Sequence, residues 1–150
     1  MSLSRKSAVL LSALLSLAPL GRAGAAETPK TEIKGAAILD HPCGKIAVKQ
    51  MGLIHVGKFE EANKLTTKEM QEQWKAMPAK DRGMMTGMMK EMSKSEADFA
   101  KEIKAFGVLA VEGDHATLTL KQEHKDANGS STDTMTQNYV IDGDKCLIAR

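Results

Sequence analysis

Five of the chain's ten methionines fall in one run, Met84-Met85-Thr86-Gly87-Met88-Met89-Lys90-Glu91-Met92. Thioethers of this kind can do three things. They can fill irregular gaps in a core, form an adaptable apolar groove that accepts varied partners, or act as soft donors that select Cu(I). At about 100° per residue the five side chains fall within an arc of roughly 140°, so a helix here carries them as a single stripe. The run holds no His or Cys, and five donors on one helix face need not converge on a point. The stripe is therefore expected to contact a sheet or a partner rather than a metal, and no cofactor is expected.

The cysteines are Cys43 and Cys146. In an oxidising compartment two cysteines most simply pair, closing a loop of about 100 residues for which chain entropy gives at most about 4 to 5 kcal/mol. Two inert thiols or one reactive thiol are the alternatives, although no Cys-x-x-Cys occurs. His41, His55, His115 and His124 have no zinc-like spacing. No glycine-rich phosphate loop and no Gly-x-Ser-x-Gly elbow is present.

The first residues read as an export leader. Arg5 and Lys6 supply a basic start, Ala8 to Leu20 an apolar run broken by Ser12 and Ser16, and Ala23-Gly24-Ala25-Ala26 a small-residue cleavage site. Removing residues 1–26 takes Arg5, Lys6 and Arg22 and no acid, so the net charge of +2 becomes −1. The mature chain then has no basic footprint and few aromatics, which argues against nucleic acid as a partner. It is expected to be exported, periplasmic or secreted, with no membrane anchor after cleavage. Residues 27–37 read as a flexible lead-in and 38–150 as one domain.

Those chemical groups must be positioned by the elements around them. Apolar spacing at Ala47, Met51 and Ile54, ended by Gly57, predicts a first helix between Ile38 and Val56. A short helix follows over 59–65. Thr66 with Glu69 and Ser93 with Glu96 read as capping boxes that open two more, the first ended by Pro78. A further helix is expected over about 79–92, and the last of them over 94–106. Gly113-Asp114, Asn128-Gly129 and Asp142-Gly143 then read as two-residue hairpin loops joining about four antiparallel strands. These loops set Leu109 opposite Leu118, Leu118 opposite Tyr139, and Tyr139 opposite Cys146. Val111, Ala116, Leu120, Met135, Ile141 and Ile148 share the same inward face. The fold class is α+β, with N-terminal helices packed on a curved C-terminal antiparallel sheet.

The segments KIAVKQMGLIHVGKFEEANKLTTKEM, GVLAVEGDHATLTL and TQNYVIDGDKCLIAR, over about 38–150, resemble small exported bacterial members of the nuclear transport factor 2-like superfamily. The resemblance implies a cone of helices and curved sheet. Members use this cone for catalysis, ligand binding, partner binding or scaffolding, so the fold alone does not settle a role. Cys146 departs from the aromatic that relatives often carry, and the methionine run is not a superfamily hallmark. An isomerase- or hydratase-type pocket needs a carboxylate or His base and an oxyanion donor. The inward face predicted here offers Tyr139, Gln137, Gln122 and Cys146 but no acid, leaving Asp40, His41 or His55 as the candidate bases. The reading is a non-enzymatic binding module for a small apolar ligand or a protein partner. Its candidate lining is Met85, Met88, Met92, Leu118, Leu120, Met135 and Tyr139. A pocket enzyme, a structural or stress-related envelope protein and a toxin-neutralising immunity protein are the alternatives, and the oligomeric state is left open.

Overall fold

The structure is a computed structural model that describes residues 28–127 and 129–150. Residues 1–27, which include the expected leader, and Asn128 lie outside the described residues. Five helices, α1 (Pro42–His55), α2 (Phe59–Asn63), α3 (Lys68–Ala76), α4 (Ala79–Met92) and α5 (Glu96–Phe106), precede four of the five strands. The strands are β1 (Lys30–Lys34), β2 (Gly107–Glu112), β3 (His115–Asp126), β4 (Gly129–Asp142) and β5 (Lys145–Ala149), and they form one antiparallel sheet in the order β1-β2-β3-β4-β5. Among the described residues no helix is long and apolar enough to cross a membrane.

The sheet has five strands where about four were expected. The polar stretch expected to be a flexible lead-in supplies the extra one. Its residues pair along β2 from Lys30↔Glu112 to Lys34↔Val108, and a 3-10 turn, Gly35–Asp40, leads from it into α1. The alternation carries little hydrophobic signal because only Ile33 of this strand is half-buried. An edge strand needs backbone hydrogen bonds more than an apolar face, and its charged side chains discourage further pairing.

Turn chemistry explains where the register agrees with expectation and where it shifts. At β2–β3 the loop is Gly113-Asp114, with Gly113 at φ +60°, and Leu109 lies opposite Leu118 as expected. At β4–β5 the loop is Gly143-Asp144, flanked by Asp142↔Lys145, not Asp142-Gly143. No described non-glycine residue has positive φ, so both loops follow the pattern that requires glycine first and leaves the second residue at negative φ. At β3–β4 the flanking pair is Asp126↔Gly129. Each of these last two loops is centred one residue away from its expected place, which moves every cross-strand partner by two. Leu118 therefore faces Gln137 rather than Tyr139, Tyr139 faces Ala116 on one side and Ile148 on the other, and Cys146 faces Ile141. A shift of two preserves the pleat, so every residue assigned to the inward face stays on it.

Two helix starts also differ from expectation. Thr66 is drawn into a bridge with Ile148, flanked by Thr67 N–H to Ile148 O at 2.9 Å and Ile148 N–H to Leu65 O at 2.9 Å. Its hydroxyl donates back to Asn63 O, and α3 opens one residue later, at Lys68, without a side-chain cap. These contacts cover the otherwise open edge of β5. Ser93 is likewise taken up in closing α4, its hydroxyl donating to Lys90 O at 2.6 Å. Ser95 replaces it as the cap of α5, accepting from Asp98 N–H at 3.2 Å and donating to the Asp98 carboxylate at 2.8 Å. That bond, with Lys101 beside it, holds the Asp98 carboxyl below its ordinary pKa. Helix α1 ends as expected at Gly57, where Gly57 N–H reaches Ile54 O and Lys58 N–H reaches Leu53 O.

The core lies between the inward face of the sheet and the helices α1 and α5. Ile38, Cys43, Phe99, Ile103, Leu109, Leu118, Tyr139 and Ile148 are each under 2% or at most 2% exposed. Phe99 and Ile103, four residues apart on α5, press onto this face together. A disulfide joins Cys43 of α1 to Cys146 of β5, across a sequence separation of 103.

Candidate functional site

The space between the inward face of the sheet and helices α1 and α5 is filled. Leu118, Leu120 and Tyr139, three of the expected lining residues, are 0%, 4% and 1% exposed and belong to the packed core. The Tyr139 hydroxyl has no hydrogen-bond partner among the described residues, and burial pushes its pKa well above the usual phenol range. Met135 shares their face but is 39% exposed. β2 pairs with β3 only as far as Leu120, and β3 and β4 run on past that point as a two-stranded ribbon. Among the described residues no acid or histidine is buried, so the interior presents hydrocarbon and one phenol.

The three histidine and acid candidates sit elsewhere. His41 caps α1, its Nδ1 accepting from Cys43 N–H at 3.2 Å, and partial burial lowers its pKa. Asp40 and His55 are exposed, the latter with Nδ1 3.4 Å from the Ser93 hydroxyl. Among the described residues no group of three or more His, Cys, Asp or Glu could hold a metal ion.

The methionine stripe does not pack on the sheet. Helix α4 forms over the expected residues, yet neither it nor α3 has any buried residue. Met84, Met88 and Met92 are 62%, 58% and 77% exposed. The reason is topological. The inward face of the sheet is already covered by α1 and α5, and α4, one helix further out, has α1 as its neighbour instead. The seven expected lining residues are thus spread over three places: the core, the start of the ribbon and the outer helices.

A different set of residues does converge. Phe59 of α2, Met70 and Trp74 of α3, Met77 at its end, and Met85 and Met89 of α4 line a cleft of about 250 Å³ on the helical side. Met70, Trp74 and Met77 follow the i, i+4, i+7 spacing of one helix face, and Met85 and Met89 the i, i+4 spacing of another. Trp74 is fixed at the boundary, its Nε1–H donating to Glu60 Oε1 at 3.3 Å. Gln71 Nε2 donates to Thr66 O at 2.9 Å and anchors α3 to the bridge beside β5. A second hollow of about 400 Å³ lies across Trp74, and one of about 530 Å³ lies on the outer sheet face. Both include several charged or hydroxyl side chains, such as Lys58, Glu60 and Arg82 in the first and Lys30, Glu32 and Thr117 in the second. Of these the methionine cleft has the most apolar lining. Of its lining, sequence reasoning named Met85 alone. The i, i+4, i+7 pattern of Met70, Trp74 and Met77 was the available signal for the rest.

Comparison of the chain with protein-family models, with curated proteins and with solved structures finds no match in any of the three.

Proposed function

We propose that this is an exported, non-enzymatic binding module of nuclear transport factor 2-like architecture, whose site is the methionine cleft on the helical side and whose ligand is a small apolar molecule. The order of elements, helices followed by a meander whose inward face they cover, supports the architecture. The Cys43–Cys146 disulfide supports an oxidising compartment and agrees with the leader read from the sequence. One observation carries the binding reading: Phe59, Met70, Trp74, Met77, Met85 and Met89 leave an apolar cleft open while the cone interior is closed by side chains. Flexible thioethers can repack around a guest, and a few polar groups at the margin, Gln50 and Asn63 among them, can orient it.

Trp74 is the chain's single tryptophan, so its emission reports the surroundings of this one side chain, and substitutions at Met85 and Met89 assign a response to the methionine cleft. Titration with n-decanol is expected to give a saturable blue shift. Met85→Glu with Met89→Glu should abolish it by charging the lining, while Met84→Glu should leave it intact. A linear, unsaturable response, or one indifferent to the double substitution, would rule the reading out.

A further inference from the structure

The methionine run is divided by the fold. Met84, Met88 and Met92 recur every four residues and are the most exposed of the run, whereas Met85, itself 41% exposed, and Met89 line the cleft together with Met70 and Met77. Four methionines, two from each helical segment, therefore line the same cleft of about 250 Å³ as Trp74. Thioethers are soft, neutral donors, and each methionine has three rotatable bonds through which its sulfur can move toward a common point. The polar lining is supplied by the amides of Gln50, Asn63 and Gln73, the hydroxyl of Thr66, and Arg150, whose positive charge works against a bound cation. No side-chain carboxylate, imidazole or thiolate, the donors that zinc, calcium and magnesium favour, is among the lining residues. Both cysteine sulfurs are bonded to each other in the core, Cys43 0% and Cys146 2% exposed, and do not compete.

We propose that the cleft is a Cu(I) site, with Met70, Met77, Met85 and Met89 as its donors and Trp74 as an aromatic wall beside the ion. Neutral sulfur ligands leave the ion's single positive charge uncompensated, and the electron-rich face of an indole is the side chain best suited to attract a cation. The same ligand set disfavours Cu(II), which prefers nitrogen and oxygen donors in a tetragonal arrangement. The ion enters and leaves as Cu(I), so coordination alone is involved and no electron is exchanged with the protein. The inference takes from the apolar-ligand reading only the location of the cleft, and because both guests use the same methionines each competes with the other for it.

The test is an anaerobic titration of the disulfide-intact protein with Cu(I) held by bicinchoninate. The protein is expected to withdraw one equivalent, with Trp74 emission quenched in step, and Ag(I) should behave alike while Zn(II) should not bind. Replacing Met70, Met77, Met85 and Met89 together by Leu conserves volume and apolar character, which cores tolerate well. It should weaken Cu(I) binding by at least about tenfold, the scale on which even outer-shell changes act at metal sites. Met84→Leu, Met88→Leu and Met92→Leu together should leave it unchanged, and circular dichroism checks the fold of both variants. Failure to withdraw Cu(I), undiminished binding in the quadruple variant, or loss in the triple variant overturns the proposal. If n-decanol still shifts Trp74 while Cu(I) does not bind, the metal site is refuted and the apolar-ligand reading stands. Cu(I) binding without a decanol response refutes the apolar ligand and keeps the metal site.

Discussion

Two regions of this molecule use the same residue types to opposite ends. In the body made by α1, α5 and the sheet, glycine and sulfur permit close approach. An added Cβ at Gly44 would stand 1.8 Å from Ile38 O, and the sulfurs of Cys43 and Cys146 are bonded inside the core. In the outer helices α3 and α4, glycine and sulfur permit looseness. Gly83 and Gly87 have nothing within 4 Å of where a Cβ would be, neither helix has a buried residue, and the methionines of α4 are largely open to solvent. A 14-residue helix with two interior glycines is not stable by itself. It is held by half-buried contacts around Trp74 and by its neighbour α1. The difference teaches where binding can occur. A packed core with one orphan hydroxyl has no room to respond, whereas elements at the low-stability end of a fold are those that reorganise around a ligand.

The most severe way to probe the contrast is to remove the bond that ties α1 to β5. Cys43→Ala with Cys146→Ala is expected to lower stability by about 4 kcal/mol, the chain-entropy figure for so long a loop, as measured by urea denaturation. Trp74 emission of the still-folded fraction should stay unchanged, because the outer helices do not depend on the bond. A Trp74 shift before global unfolding would show that the two regions are one unit.

Glycine substitution sharpens the contrast through sign. Gly44→Ala must push against the Ile38 backbone and is expected to cost about 1 to 3 kcal/mol, as overpacking does. Gly83→Ala and Gly87→Ala should each raise stability by about 0.5 to 1 kcal/mol through helix propensity alone. Equal signs in thermal melts of the three variants would break the comparison.

Tyr139→Phe probes the core from inside. Its hydroxyl is buried without a partner among the described residues, so removing it should leave stability unchanged or raise it by up to about 1 kcal/mol. A loss of more than that in the urea midpoint would mean that the hydroxyl is satisfied in solution.

The smallest effect is expected at His41. Burial keeps its folded pKa below the ordinary imidazole value of about 6.5, and its neutral Nδ1 accepts the Cys43 N–H. Because the unfolded chain takes up the proton first, this contribution is complete above about pH 6.5 and is lost as pH falls from there through the folded pKa. Comparing urea midpoints at neutral and mildly acidic pH, His41→Asn should cap α1 without titrating and show less decline than the parent. An identical decline in both proteins would assign the pH dependence to other groups.

Much of this fold was legible in the residues themselves. Period-two alternation from Leu109 to Ile148 identified the inward face, and it survived a two-residue change of partners because parity, not register, sets the side of a sheet. Pro78 and Gly57 marked helix ends that the structure keeps, and α4 spans the expected residues. Less was legible of the site. Leu118, Leu120 and Tyr139 are identified as apolar and inward by their pattern, but a pattern cannot say whether the facing space is empty or filled. Thr66 and Ser93 have the spacing of capping boxes. Their hydroxyls are turned to Asn63 and Lys90 because nearby backbone, a bridge to β5 in one case and a helix end in the other, reaches them first.

By itself the sequence determined the α+β order, the apolar face of the sheet and the presence of a methionine stripe, since each depends on local period and turn chemistry. Only the tertiary structure decided that α1 and α5 cover that face, leaving α4 outside with its stripe divided between solvent and a cleft shared with α3. The physical reason is that a sheet face can be covered once. Which of several amphipathic helices does so is settled by the combined packing of all of them, and no single stretch of residues contains it.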